Sequence, residues 1–390
     1  MPPDVLVDLT PLDTGSRYRG IGRYVSALAA SLAALPPDAA HGLRFAGLTS
    51  LATGHADATL AYAGDPRFRQ RPFGHRIYEW RRRLLLGGAA RRSGARLLHH
   101  TDPGGTPWFG CPPRVVTCYD LIPLVMHREY LAPVPGGRAR RRARDRVRYG
   151  GALRVLAISA ATRDDLVQHV GIDPARIDVT HLGVDHTRFH PRAADGEEQA
   201  VRRALGVTRP FLLYVGAWDA RKNLEHLVAA YARSGVRGDV ALVLAGMLGP
   251  RGTRRVQAAI AEHGVGDDVL LPGYVDEALV PAAYRSCLAH VFPSLYEGFG
   301  LPVVEALACG APTVTTRRSS LGEVAGDAAL LVDGTDVDET AAALARVASD
   351  AALRDDLRAR GRARAAAFTW DACARATVEA YVRALAAVAA

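Results

Sequence analysis

The sequence predicts an α/β protein of two domains, each a parallel sheet covered by helices, and three observations predict it. Short apolar or β-branched runs alternate with helical stretches, the pattern of parallel strands joined by crossover helices. The alternation runs twice, interrupted between His186 and Gln199 by a stretch rich in proline and charge. A chain of 390 residues is also long for one core and comfortable for two domains of ordinary size. The expected division is an amino-terminal domain over 1–188, a carboxy-terminal domain over 189–368 and a closing helix over 369–390.

The first series of strands is read at Val5–Leu9, Leu43–Leu48, Arg96–His100, Arg114–Cys118, Arg154–Ile158 and Ile177–Thr180. Helices are read over Gly22–Ala34, Ile77–Arg92 and Ala160–Val170, the last begun by Ser159, whose hydroxyl suits an N-cap. The second series runs Phe211–Val215, Val240–Ala245, Val269–Leu271, Ala289–Phe292, Thr313–Thr315 and Ala329–Val332. A final helix covers roughly Trp370 to Leu385. No sequence repeat links the halves, so the duplication rests on the repeated pattern alone. In open α/β sheets, ligands bind beyond the carboxyl ends of the strands. Facing two such edges across a cleft is the simplest way to bring the motifs below together.

With 49% hydrophobic and 23% charged residues, the composition is that of a soluble globular protein. No apolar run reaches the roughly 18 residues of a membrane span. The opening MPPDVLVDLT reads as a first strand, not as a signal peptide. Cys111, Cys118, Cys287, Cys309 and Cys373 form no CxxC pair, and an odd number suits a reducing compartment. The expected location is the cytoplasm, with the inner face of the membrane as its alternative. The net charge of +9 is concentrated in Arg138 to Arg148 and in Trp80 to Arg83 with Arg91 and Arg92. These arginines either decorate solvated helix faces or attract anionic lipid heads or a phosphorylated acceptor. Nucleic acid is disfavoured, because no aromatic ladder or binding module accompanies them.

The stretch Phe292 to Leu307, FPSLYEGFGLPVVEAL, carries the most information. It sets two carboxylates, Glu297 and Glu305, on either side of a glycine-bearing turn that opens a helix. Gly298 and Gly300 let the backbone bend and approach a ligand closely, and Pro302 suits the start of a helix. The amides of Phe299, Gly300 and Leu301 lie at or just before a helix N-terminus, where unpaired N–H groups and the dipole favour an anion. One carboxylate before that pocket and one about a turn inside can grip polyols on either side of a phosphate. The arrangement suits a sugar nucleotide.

Two further segments matter. Gly20-Ile21-Gly22 is half of a dinucleotide fingerprint, but the sixth position is Val25, so an NAD-dependent oxidoreductase is disfavoured. The alternatives are a turn whose amides reach a diphosphate and an ordinary strand-to-helix turn. Tyr214 to Asn223, YVGAWDARKN, ends a strand at Gly216 and places Arg221 and Lys222 together.

These three segments, in this order, resemble retaining glycosyltransferases of the family 4 type. FPSxxEGFGLPxxEA resembles the donor-binding motif, RGIGRYV (Arg19 to Val25) the amino-terminal glycine loop, and YVGAWDARKN the basic diphosphate-binding segment. The likeness covers essentially the whole chain. It implies the GT-B fold, two Rossmann-like parallel-sheet domains facing across a cleft, with the final helix crossing back onto the first domain. By the same resemblance Glu305 accepts hydrogen bonds from ribose hydroxyls and Glu297 contacts hydroxyls of the transferred sugar. Arg221, Lys222 and the Phe299–Leu301 amides offset charge on the departing nucleoside diphosphate, replacing a metal ion. Gly20, Ile21, Gly22 and Gly216 complete the donor site.

There are departures. Relatives often carry arginine after the glycine, where this chain has Ala217, and histidine before the aspartate, where it has Tyr119. Asp120 either contacts an acceptor or sugar hydroxyl or caps the following turn. His181 and Asp185, in HLGVD, resemble a mainly structural hinge segment. Asp336 and Asp338 imitate a metal-binding DxD but precede the helical run Glu339–Val347, where acids cap and complement the dipole. His99 and His100 have no carboxylate or cysteine at ligand spacing and read as a strand end. The expected activity is transfer of a hexose from GDP-mannose, or from UDP-glucose or UDP-N-acetylglucosamine, to a glycan, lipid-linked or small-molecule acceptor. A non-catalytic sugar-nucleotide binder is the rival from another class.

Overall fold

The structure, a computed structural model, describes residues 1–18, 20–49, 55–57, 60–64, 75–106, 111–132 and 134–389, with backbone alone at 55–57, 75–83 and 389. Arg19 and the side chains of Trp80 to Arg83, singled out above, lie outside the described residues. The chain divides into two compact units: Met1–Gly183 with Trp370–Ala390, and Val184–Thr369. The boundary read from sequence at 188/189 falls a few residues inside the second.

The first unit is a seven-stranded sheet in the order β3-β2-β1-β4-β5-β6-β7. Its strands are β1 Val5–Asp8, β2 Phe45–Thr49, β3 His55–Asp57, β4 Leu97–His100, β5 Arg114–Cys118, β6 Arg154–Ala157 and β7 Ile177–Val179. All pairings are parallel except β2 with β3. β1 lies between β2 and β4, in register Val5↔Phe45 and Val5↔Leu97. Every residue of β1 and β4 is buried, as strands covered on both faces require. The second unit repeats the plan with six strands in the order β10-β9-β8-β11-β12-β13. These are β8 Phe211–Val215, β9 Ala241–Ala245, β10 Val269–Gly273, β11 Ala289–Phe292, β12 Thr313–Thr316 and β13 Leu330–Val332.

In both units the chain reverses its direction of travel across the sheet beside the first strand, between β1 and β4 and between β8 and β11. In doubly wound sheets a ligand crevice opens at such a switch point, beyond the carboxyl ends of the strands. The loops after β8 and β11 carry Arg221, Lys222 and Glu297.

Three local differences from the sequence reading bear on function. The first helix is Gly20–Ala34, so Gly20, Ile21 and Gly22 form its first turn instead of a turn ahead of it. A Cβ on Gly22 would run into the backbone of Arg17, because the turn Gly15–Tyr18 packs against the helix there. Arg221 and Lys222 sit in a 3-10 turn, Ala220–Lys222, and the helix begins only at Leu224. Asn223 separates the two by adopting a left-handed conformation at φ 60°, held by its side-chain donation to Gly334 O at 2.7 Å. Last, β3 has no counterpart in the sequence reading.

The terminal helix Trp370–Ala389 belongs to the first unit. Its Tyr381 hydroxyl meets His99 Nδ1 at 2.6 Å, and His99 Nε2 meets Thr117 Oγ1 at 2.8 Å. His99 is thus a core residue joining two strands to this helix, and burial drives its pKa down to about 3. Among the described residues no helix is long and apolar enough to cross a membrane.

Candidate active site

The site of the second unit is built from two adjacent loops. After β8, Gly216 takes φ 155°, and a Cβ there would stand 2.8 Å from the Tyr214 hydroxyl. Asp219 caps the next turn by accepting from the Arg221 amide at 3.2 Å. After β11, the Leu295 amide donates to the Arg221 carbonyl at 2.7 Å. That bond ties the two loops together.

The result is a buried ionic cluster. Lys222 Nζ lies 2.6 Å from Glu297 Oε1 and an Arg221 terminal nitrogen 3.4 Å from Glu297 Oε2. Ser294 donates its hydroxyl to Glu297 Oε1 at 2.7 Å. The Glu297 residue is 7% exposed. Burial would raise its carboxyl pKa, but the charges of Lys222 and Arg221 and the hydrogen bonds from Lys222 and Ser294 outweigh it, and the net shift is downward. Burial acts on Lys222 as well, shifting its ammonium down against the pull of Glu297, with Arg221 adding to the fall. Behind the ammonium lie the face of Phe292, 4.5 Å from its ring centre, and then His290, buried and held neutral by burial and by the charge of Lys222.

The Glu297 peptide is held from the start of the helix Ser319–Ala325. Its amide donates to Ser319 Oγ at 3.0 Å, and its carbonyl accepts from Ser320 Oγ at 2.9 Å. Ser319 takes a left-handed φ of 50°, a conformation that non-glycine residues adopt at a cost. Neither serine was singled out from sequence, although Ser-Ser ahead of a helical run is a capping signal.

Gly300 (φ 100°) ends the turn, and a Cβ on it would come within 2.5 Å of Leu321 Cδ2. The helix Leu301–Ala308 follows with proline in its first turn, and its Val303 and Val304 amides donate to the Gly300 carbonyl at 2.9 and 3.4 Å. Phe299 is buried edge-on against Phe368, with ring centres 5.6 Å apart. Glu305 is buried on that helix.

Arg221, Lys222 and Glu297 therefore come together, with Gly216, Phe299, Gly300, Leu301 and Glu305 on the loops and helix that form the same sheet edge. Gly20, Ile21, Gly22 and Asp120 belong to the first unit. Asp120 Oδ1 accepts from the Ile122 amide at 3.1 Å, capping the turn that follows β5. Tyr119 donates its hydroxyl to Thr101 O at 2.6 Å and meets Tyr24 edge-on. His100 does have a carboxylate beside it, supplied from across the sheet: its Nδ1 lies 2.9 Å from Asp8 Oδ2, both groups fully buried. Asp336 caps its helix, accepting from the Asp338 and Glu339 amides. Asp185 likewise closes a turn onto Thr187.

The paired doubly wound sheets are those of the GT-B fold. Sucrose-phosphate synthase from Thermosynechococcus elongatus superposes with a TM-score of 0.74 at 23% identity, over 98% of this chain and 99% of its own. The family profile described as Glycosyl transferases group 1 matches residues 195–364, and that of Glycosyltransferase Family 4 matches residues 18–188. The chain belongs to the group 1, family 4 type of glycosyltransferases. O-antigen chain mannosyltransferase B of Escherichia coli is 32% identical over 250 residues, 61% of this chain and 65% of its own length. The MMP alpha-(1->4)-mannosyltransferase of Mycolicibacterium hassiacum is 35% identical over 241 residues, 60% of this chain and 55% of its own. The matched region thus spans less than two thirds of each relative.

Proposed function

We propose that the protein is a retaining glycosyltransferase that moves a hexose from a nucleotide sugar, GDP-mannose foremost, to a hydroxyl of a glycan, lipid-linked or small-molecule acceptor. The observation that carries this reading is the Arg221–Lys222–Glu297 cluster at the switch point of the second sheet, beside the first turn of Leu301–Ala308. A diphosphate seated there would meet two cations and the positive end of a helix dipole together, in a setting of low dielectric where each interaction is stronger than in water. No metal ion is required for that charge, since Arg221 and Lys222 supply it.

In the transfer step the acceptor oxygen bonds to the anomeric carbon as the bond from that carbon to the donor phosphate oxygen breaks, on the same face. The departing phosphate oxygen takes the acceptor proton. The bonding of Glu297 supports this route over a covalent intermediate. Its carboxylate is tied by Lys222, Arg221 and Ser294, which lower its pKa and keep it ionised; that suits gripping sugar hydroxyls and opposes nucleophilic attack. Glu305 takes the ribose hydroxyls. Catalysis is then orientation plus electrostatics. The preference for mannose as the transferred hexose is supported by the two relatives named as mannosyltransferases.

A panel of nucleotide sugars, assayed for nucleoside diphosphate release with and without membrane extract, tests the reading. GDP release from GDP-mannose, stimulated by extract, is the expected result. Binding of nucleotide with no release from any donor would make the protein a sugar-nucleotide binder instead.

A further inference from the structure

The first unit holds a groove of about 1010 Å³ that the transfer chemistry leaves unused. Its floor is apolar, formed by Leu124, Leu131 and Val134, and its wall is the helix Gly137–Gly150. That helix carries seven arginines and one aspartate. Asp145, buried, pairs with Arg141 at 2.5 Å and Arg148 at 3.0 Å, both turned from the groove. The arginines that line the groove are Arg138, Arg142 and Arg146, spaced four apart and so on one face of the helix, with Arg128 opposite.

Among the described residues no Asp or Glu lines the groove. Among the described residues Arg128, Arg138 and Arg142 take part in no ion pair, while Arg146 is steered by donation to Val170 O at 2.9 Å. Like charges four apart on a helix repel, and that repulsion is retained here around an apolar floor. An occupant with a phosphate head would relieve the repulsion. An apolar chain on the same molecule would cover Leu131 and the half-exposed Val134. A free phosphate has no use for that floor, and single-stranded nucleic acid would favour Phe, Tyr or Trp platforms, where the lining offers only the imidazoles of His127 and His169.

We infer that this groove docks the phosphate-bearing head group of a membrane lipid, with Arg138, Arg142 and Arg128 as its anion contacts. The inference stands apart from the transferase reading, because docking is measured with no donor present and survives or fails whatever the donor panel gives.

The test is flotation with vesicles of phosphatidylcholine, alone or with phosphatidic acid, comparing Arg138→Gln/Arg142→Gln with Arg140→Gln/Arg144→Gln. Both pairs remove two charges from one helix, but only the first faces the groove. A basic side chain near an anionic surface contributes about 1 kcal/mol, so losing two specific contacts should weaken vesicle affinity about thirtyfold. The expected result is that loss for the first pair, less than about threefold for the second, and weaker floating of Val134→Ser, with unchanged melting temperatures. Equal losses in both pairs would overturn the site in favour of diffuse attraction. Calorimetric binding of inorganic pyrophosphate, sensitive to Arg138→Gln/Arg142→Gln but without vesicle binding, would overturn the lipid in favour of a soluble phosphate. Absence of any flotation would overturn the proposal outright.

Discussion

Ser320 donates its hydroxyl to the carbonyl oxygen of Glu297 at 2.9 Å, while the adjacent Ser319 accepts from the Glu297 amide. Two successive side chains thus fix both ends of the residue that the proposal sets against the transferred sugar. Ser320 is fully buried, so Ser320→Ala leaves that carbonyl short of a partner at a cost of about 1–3 kcal/mol. The expected kinetic effect is a fall in kcat of about tenfold or more at nearly constant donor KM, because a peptide free to turn misplaces the carboxylate. Steady-state kinetics on folded Ser320→Ala, with Ser320→Thr as the restoring variant, checks this. An unchanged kcat would make the clamp merely structural.

The two glutamates should separate kinetically. Glu305→Ala is expected chiefly to raise donor KM, and Glu297→Ala mainly to lower kcat. Wild-type constants in both variants would refute the assignment.

Breaking the ion pair from one side should cost more than removing it. Lys222→Met leaves the Glu297 carboxylate buried beside Arg221 alone, and loss of one partner of a buried pair typically costs about 3–5 kcal/mol. Lys222→Met/Glu297→Gln should recover much of that in urea unfolding, though not activity. A double variant as unstable as the sum of the single ones would show that the pair is not coupled.

Stability should fall with acid. Burial holds His99 and His290 neutral, with pKa values lowered to about 3. A free imidazole takes its proton near pH 6.5, so between these values the unfolded chain binds more protons than the folded one. Stability is therefore complete above about pH 6.5 and drains away as pH falls towards 3. Melting temperatures from pH 7.5 to 4.5 should decline, and His290→Phe should flatten part of the slope. A profile flat to pH 4.5 would contradict the buried neutral state.

The terminal helix should be anchored by one polar contact in its packed face. Tyr381→Phe removes the partner of His99 Nδ1, and an expected loss of about 1–3 kcal/mol follows from the unpaired buried nitrogen. Hydrogen exchange along Trp370–Ala389 should then quicken more than in the second unit.

The strands were legible because fully buried parallel strands read as short, dense apolar runs, as FLLYV and VLVD do. The edge strand His55–Asp57 was not, since three residues of mixed polarity are ordered only by antiparallel pairing with β2. Within the site, Glu297, Lys222 and the helix-opening turn were legible as local motifs. Their pairing was not, because 75 residues separate Lys222 from Glu297 and only the adjacency of β8 and β11 joins them. The same reason hid Asp8 beside His100 and the Ser319–Ser320 clamp, each a contact between separate strand ends. Asn223 was hidden differently: its left-handed turn is set by a carbonyl from a distant loop.

The most direct test of the account is calorimetric titration of GDP and UDP into the wild type and Lys222→Gln. If the cluster holds a nucleoside diphosphate, the wild type binds at least one of them and the variant loses at least about tenfold, the 1.4 kcal/mol of one weakened charge contact. Equal affinity in the two proteins, or binding of neither nucleotide, would contradict it.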